Sequence, residues 1–403
     1  MRAEIKQNFT SAVALPIFTP PITSPMPFST LGLSQPLLDA IAKQKYTQPY
    51  PIQVAAVPPI LAGKDLLGIA QTGSGKTASF VWPILELFQH KKSSPPRHIK
   101  CLVLVPTREL ALQVAEVFTS FGMDLPTRLR ATAVVGGENL NRQIEALQKT
   151  EIVVATPGRL LDLVSSRHVF LSEVEVLVLD EADKMLNLGF QDEINDIFTL
   201  LPKKRQNLLF SATLNDNVEG LNRLLLQDPV KVEVVPEEST VDLIKQTAYM
   251  VEEERKGPLL RYLIKQQNMQ QVLVFVSSTR RADNVVEKLT KNGIVAMALH
   301  GDKSQGARTE ALKRFKEGHL RVLVATDLAS RGIDIQFLPF VINYELPRSP
   351  TDYVHRIGRT GRAESRGEAI SLITPEDEHH FYIIQKKMKK RVPILETKEF
   401  ELG

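Results

Sequence analysis

The residues best suited to chemistry form a short run, Gln71-Thr72-Gly73-Ser74-Gly75-Lys76-Thr77, between an apolar strand pattern and a helical stretch. Glycines let the backbone curl until its N–H groups converge on phosphate oxygens. The helix N-terminus adds a favourable dipole, Lys76 a full positive charge, and Thr77 a hydroxyl able to bind Mg²⁺. A strict phosphate loop carries glycine where Ala70 stands. Far downstream, the apolar run Val176-Leu177-Val178-Leu179 ends in Asp180-Glu181-Ala182-Asp183. Ligands of open parallel sheets gather at the carboxyl ends of strands, which is where these acids emerge. Asp180 is placed to hold Mg²⁺ through water, and Glu181 to orient and deprotonate an attacking water. Alone, the four-residue run would favour a solvated turn capping a helix. After a buried strand and a phosphate loop it reads as catalytic.

Such groups need strands to hold them. Short apolar runs alternate with amphipathic helical stretches, the pattern of βα units on a parallel sheet. The first half offers strands at Asp65–Ala70, Cys101–Val105, Ala131–Val135, Glu151–Ala155, Val174–Leu179 and Gln206–Phe210, with helices such as Glu109–Phe121 and Asn139–Lys149 between them. The pattern restarts with Gln271–Val276, Val295–Leu299, Arg321–Ala325, Phe340–Tyr344 and Ala369–Ile373. The expectation is an α/β chain with two mostly parallel sheets, over 28–232 and 245–385. Polar, aperiodic Pro236-Glu237-Glu238-Ser239-Thr240 marks a linker over 233–244. Pro16, Pro20, Pro21, Pro25 and Pro27 make 1–27 a disordered extension rather than a targeting peptide. Lys386, Lys387, Lys389, Lys390 and Arg391 make 386–403 a basic tail, either a solvated face or an RNA-facing patch.

Bulk composition excludes several classes. At 403 residues the chain is too long for one ordinary core. A net charge of +4 permits a polyanionic partner without demanding one. The lone Cys101, inside an apolar strand, rules out a disulfide framework and argues against a cysteine metal cluster. No apolar run is long enough to span a bilayer, so no membrane association is expected, and the reading of 1–27 as no targeting peptide implies a cytoplasmic location.

Asp180-Glu181-Ala182-Asp183 spells the signature of the DEAD-box ATP-dependent RNA helicases, and further stretches resemble that family's motifs in order. The resemblance covers about residues 28–375 and implies two tandem RecA-like domains of the P-loop NTPase type. Tyr46-Thr47-Gln48-Pro49-Tyr50-Pro51-Ile52-Gln53 looks like the Q motif, which implies that Gln53 reads the adenine edge and Phe28 stacks on its face. Lys45 replaces the glycine that usually opens the motif. Pro106-Thr107-Arg108-Glu109-Leu110, Gly136-Gly137 and Thr156-Pro157-Gly158-Arg159 resemble RNA-backbone motifs. Each follows a strand or opens a helix, where N–H groups, hydroxyls and an arginine can meet phosphates. Ser211-Ala212-Thr213 resembles the motif that couples ATP state to strand opening, by hydrogen bonding towards the acids. In the second domain His300-Gly301-Asp302, with Gln305 and Arg308, resembles another RNA-contacting stretch. Thr326-Asp327-Leu328-Ala329-Ser330-Arg331-Gly332-Ile333-Asp334 matches a shared motif, with Thr326 and Asp327 nearer RNA and Gly332 and Asp334 nearer ATP. In His355-Arg356-Ile357-Gly358-Arg359-Thr360-Gly361-Arg362, two arginines three apart on one helix face are arginine-finger candidates, Arg359 and Arg362. Phe28-Ser29-Thr30-Leu31-Gly32-Leu33 is similar to the bacterial RhlE-type branch.

The resemblance implies an RNA-dependent ATPase that uses ATP and Mg²⁺ and opens short duplexes without reading sequence. A monomer is expected, with targeting left to the chain ends or a protein partner. Fingers on one domain and phosphate loop on the other imply that ATP and RNA favour the same closed state. One rival reading is a DNA-translocating motor on the same tandem sheets. Another is an ATP-gated RNA clamp or assembly scaffold without turnover. The Q motif and Asp183 argue against the first, and intact Lys76, Glu181, Arg359 and Arg362 against the second. A GTPase is disfavoured because no Asn-Lys-x-Asp run occurs.

Overall fold

The computed structural model describes residues 17–18, 26–71, 73–91, 95–234, 244–330, 335, 338–360, 367–397 and 400; at 17, 18, 328 and 330 only the backbone is described. The chain divides into two compact units, one of 1–136 and 140–235 and the other of 236–403 together with 137–139; residues 235–243 are not described. Most of the linker expected at 233–244 therefore lies outside the described residues.

The first unit is a parallel sheet of eight strands. They are β1 (Ile17–Phe18), β2 (Leu66–Ile69), β3 (Cys101–Leu104), β4 (Ala131–Val134), β5 (Ile152–Ala155), β6 (Val176–Leu179), β7 (Gln206–Ser211) and β8 (Val230–Glu233). Their order is β1-β8-β2-β7-β6-β3-β5-β4. Continuous apolar runs such as Cys101-Leu102-Val103-Leu104 form fully buried strands because helices cover both faces. Alternation then sends Cys101 and Val103 into one apolar layer and Leu102 and Leu104 into the other. Helices Pro51–Leu61, Lys76–Phe88 and Arg108–Gly122 fill the first layer. Helices Pro157–Ser165, Ala182–Asn187, Gln191–Leu200 and Asp216–Leu225 fill the second. Because β7 and β6 lie between β2 and β3, the loops leaving β2, β7 and β6 are neighbours at one carboxyl edge.

The second unit repeats the scheme with β9 (Lys245–Met250), β10 (Val272–Val276), β11 (Ala296–Leu299), β12 (Val322–Thr326), β13 (Phe340–Asn343), β14 (Glu368–Ile373) and β15 (Ile394–Glu396). All pairings are parallel, in the order β11-β12-β10-β13-β14-β9-β15.

Both chain ends depart from expectation. Of the extension expected over 1–27, Ile17–Phe18 is not free chain but pairs in parallel with Lys231 and Val232 of β8. Apart from 26 and 27, the rest of that segment lies outside the described residues. Of the basic tail expected over 386–403, the described part is folded: Lys386 and Lys387 belong to helix Glu378–Met388, and β15 pairs with Ala248–Met250. Phe400 then packs edge-on against Tyr249 and Tyr262, centroids 6.1 and 5.2 Å away. The lysines masked this because they line the helix end, while the apolar pair Ile394-Leu395 that adds the strand is very short.

Candidate functional site

β2 feeds the glycine run directly. Ala70 needs no special conformation: its N–H donates to Ser211 O at 3.0 Å and continues the ladder to β7. The curl comes two residues later, with Gly73 at φ 82° and Gly75 at φ 87°. Only glycine fits at Gly75, since a Cβ there would lie 2.5 Å from Gln53 Nε2 and 2.9 Å from Tyr50 Cδ2. Gly75 caps helix Lys76–Phe88, whose first residue, Lys76, is buried. Its Nζ has no hydrogen-bond partner among the described residues. Ser74 Oγ donates to Gln71 O at 2.8 Å, closing the loop's outer turn. Thr77 is half-buried one residue into the helix, and Thr72 lies outside the described residues.

The acids stand one strand beyond β7. Asp180, Glu181 and Asp183 are all buried. Asp180 Oδ1 accepts from the Glu181 N–H at 2.9 Å. Burial pushes the Asp180 carboxyl up to about 6, against the pull of Lys76 and with a further push from Glu181. An ammonium buried without a partner and a carboxyl above its ordinary range suit an anion beside the one and a cation beside the other. Glu181 adopts φ 55°, ψ 46° at the start of helix Ala182–Asn187, and its Oε1 takes Lys184 Nζ at 2.7 Å. Asp183 Oδ2 accepts from Thr213 Oγ1 at 3.0 Å, while Ser211 Oγ donates to Thr213 O at 2.8 Å. The structure thus ties the Ser211-Ala212-Thr213 loop directly to the acids.

Gln53 is fully buried, and both ends of its amide are in use. Oε1 accepts from Tyr50 N at 2.8 Å, and Nε2 donates to Gly75 O at 3.2 Å. It braces the phosphate loop from behind; one N–H and one lone pair remain for another partner. Phe28 is half-buried and meets Trp82 edge-on at 5.6 Å, in a cluster with Tyr46 and Phe121. Lys45 keeps the turn that a glycine would make, at φ 61°.

The first domain's RNA candidates fall on adjacent strands, at the ends of β3, β5 and β4. Pro106 and Thr107 are buried, and Thr107 Oγ1 caps helix Arg108–Gly122 by accepting from Leu110 N at 3.3 Å. The Arg108 guanidinium covers Gly136, where a Cβ would meet Nη2 at 3.3 Å. Gly137 is exposed at φ 78°. Thr156 precedes helix Pro157–Ser165 without a side-chain cap. Gly158 faces open space, and Arg159 pairs with Asp162 at 3.6 Å.

In the second domain, Gln305 and Arg308 are buried in the first turns of helix Gln305–Lys316, after β11. His300, in the bend that follows β11, is buried, with Nε2 3.1 Å from Asp283 Oδ1. Thr326 ends the adjacent β12. Asp327 follows it and accepts from Arg356 Nε at 2.6 Å and Nη2 at 2.8 Å. The first finger candidate, Arg359, does not lie on a helix. Helix Pro350–Ile357 stops at Gly358, and Arg359 lies in a turn whose carbonyl accepts from Leu338 N at 3.1 Å. Gly358 caps the helix, so Arg359 falls beyond its end. Arg362, Gly332 and Asp334 lie outside the described residues.

Comparison with known proteins settles the family. Residues 50–221 match the DEAD/DEAH box helicase family model, and 255–364 match the helicase conserved C-terminal domain. The ATP-dependent RNA helicase CshA of Listeria monocytogenes is 41% identical over 371 residues, covering 92% of this chain and 70% of that protein. The chain belongs to the DEAD-box family of ATP-dependent RNA helicases. CshA of Bacillus subtilis is 40% identical, covering 91% of this chain and 73% of its own. Among solved structures, S. cerevisiae Dbp5 bound to RNA and ADP BeF3 matches with TM-score 0.81 and 32% identity, over 93% of this chain and 96% of that one. A DEAD box protein from Methanococcus jannaschii matches with TM-score 0.51 and 37% identity, over 92% and 99%. The tandem RecA-like fold, ATP use and RNA binding follow from this membership. These relatives carry the CshA name and do not confirm the RhlE-type branch.

Within this DEAD-box frame, three contributors were not read from sequence. Arg356, buried under helix Pro350–Ile357, also donates through Nη1 to Asn343 Oδ1 at 3.1 Å and Glu345 O at 2.6 Å. Its signal was a charge on the face shared with Tyr353 and Ile357, the buried residues of an amphipathic helix. Gln143 clamps the Val135 peptide ahead of Gly136, accepting from its N and donating to its O, both at 3.0 Å. Lys184, next to the signature, left no local sign of its contact with Glu181.

Proposed function

We propose that this helicase binds Mg²⁺·ATP at the β2–β7–β6 edge, hydrolyses it in response to RNA, and opens short duplexes locally rather than by processive translocation. The observation that carries the reading is buried Lys76 Nζ, without a partner among the described residues, whose charge is felt at a buried Asp180 with its carboxyl pushed up to about 6. Lys76 supplies the charge for the terminal phosphates, and the Gly73–Gly75 turn supplies N–H donors. Thr77 and Asp180 would hold Mg²⁺, which when bound neutralises charge developing between the outer phosphates. Few protein donors suffice, because Mg²⁺ keeps most of its waters and takes phosphate oxygens.

Glu181 orients the attacking water and accepts its proton. The Thr213–Asp183 bond passes a change at the acids to the loop after β7. Gln53 holds the loop and offers its remaining N–H and lone pair to adenine, and Phe28 stacks on the base. Arg359 and Arg362 supply cationic charge to the phosphoryl in transfer, worth about 10³–10⁵ in rate for groups of this kind. Thr107, Arg108, Gly136, Gly137, Thr156, Gly158, Arg159, Gln305, Arg308 and Thr326 serve the RNA backbone, with Pro106, Pro157 and Asp327 shaping those turns. Contacts of this kind carry no base information, so binding is sequence-independent. A monomer in the cytoplasm, directed by a protein partner, fits this reading; among the described residues no helix is long and apolar enough to cross a membrane.

Energetics limit the output. About six base pairs hold roughly 7 kcal/mol of stacking at ~1.4 kcal/mol per step, the DNA average. A single clamping cycle can supply that, but not the cost of a long duplex. Unwinding rates measured over duplexes of increasing length should fall steeply beyond about one helical turn. A rate that declines only weakly as length grows severalfold would speak for translocation instead.

A further inference from the structure

We propose that Lys184 is a positioning residue for hydrolysis: its ammonium holds one carboxylate oxygen of Glu181 and so fixes the group that takes the proton from water. This rests on the reading of Glu181 as the base. The contact is close and dry, with Nζ 2.7 Å from Oε1 and side chains only 9% and 5% exposed. An exposed i, i+3 pair would contribute little and be screened by salt. A buried one is screened far less and is a poor device for stability alone, since apolar replacements often do as well.

Two further contacts and a charge effect tie Lys184 to the acids. Its backbone N–H donates to Asp183 Oδ1 at 3.0 Å and lies 2.9 Å from Glu181 O. Its charge is also felt at Asp180. The Glu181 backbone sits in the left-handed region, a conformation that a residue with a Cβ adopts only at a cost. Strain of this kind persists where surrounding contacts over-determine it, and here the Lys184 pair, the Asp180 bond and the helix start do so. Lys76 is committed to phosphate, so Lys184 is the cation that stays with the acids through turnover. With Oε1 held, the proton from water passes to Oε2 while the water oxygen attacks the terminal phosphorus and ADP leaves.

The test measures ATP hydrolysis by the full chain at saturating single-stranded RNA in Lys184→Gln, Lys184→Arg, Glu181→Gln and the Lys184→Gln/Glu181→Gln double variant. Misplacing the base should lower kcat by about 10–10², with KM for ATP within about threefold of the parent. Lys184→Arg should recover most of the loss. In the Glu181→Gln background, Lys184→Gln should add nothing, because the residue acts through Glu181. Should Lys184→Gln fail to fold, Lys184→Met preserves the packing and carries the same expectations. Unchanged kcat in folded Lys184→Gln, an additive cost in the double variant, or a joint loss of kcat and ATP affinity that arginine does not rescue each overturns the proposal. Retained turnover in Glu181→Gln overturns the base assignment itself, and the proposal with it.

Discussion

Lys45 holds φ 61° at the entrance to the Q motif, where a β-carbon is unwelcome. Glycine there should relieve strain worth more than the chain entropy it restores to the unfolded state. Lys45→Gly is therefore expected to stabilise the first domain by about 0.5–1 kcal/mol in urea unfolding; a loss of stability would show that the lysine side chain makes an offsetting contact. Asp180 carries a prediction of opposite character. Its carboxyl is raised to about 6 by burial, so between the ordinary carboxylate value and pH 6 the folded chain holds a proton that the unfolded chain has released. Stability then falls as pH rises through that window and stays lower above it. Without nucleotide or Mg²⁺, Asp180→Asn should raise stability at pH 7.5 by about 1–3 kcal/mol and lose the effect near pH 4. A destabilised variant at pH 7.5 would contradict the burial argument. Chemistry at this scale was legible where it is local: the loop around Lys76 and the acids from Asp180 to Asp183 announce themselves by residue type. What Gln53 and Lys184 touch was not legible, because contact depends on backbone turns that residue type does not specify.

Elements buried on both faces were equally plain. Strands β2, β3, β5, β6 and β10 are unbroken apolar runs and β12 is one up to Thr326, and sequence alone located all six. The misses are instructive. β9, Lys245–Met250, carries Gln246 and Thr247, yet both are buried between β14 and β15. Its polarity is satisfied by a chain of hydrogen bonds invisible in sequence: Gln246 to Tyr353 at 3.3 Å, Tyr353 to Ser371 at 3.1 Å, and Asn343 to Ser371 at 3.2 Å. Asn343 then meets Arg356, which holds Asp327. This network runs from β9 through β14 and β13 to the residue after β12, with helix Pro350–Ile357 as its strut. Arg356 is its heaviest member, fully engaged and 4.9 Å over the Phe275 ring. Removing one partner of such a buried pair leaves the other uncompensated. Arg356→Ala should therefore cost about 3–5 kcal/mol in unfolding of the second domain; a cost under about 1 kcal/mol would mean the network is not cooperative.

At the scale of the molecule, each unit carries its own sheet and its own apolar layers, and each presents its candidate residues on loops at the carboxyl ends of parallel strands. That duplication was readable because the βα pattern restarts after a polar break. The return of the chain as β15 was not, since three residues ending a basic stretch give no periodicity. The residues proposed for phosphate, metal and water lie on the first unit, and the proposed fingers on the second. Turnover should then require the whole chain, with ATP and RNA favouring each other's binding by the same factor. The most direct measurement is steady-state ATP hydrolysis without nucleic acid, with single-stranded RNA, and with matching single-stranded DNA, using Glu181→Gln as the control. Strong stimulation by RNA alone, abolished in the control, is the expected result. Equal stimulation by DNA, or turnover that survives Glu181→Gln, would contradict it.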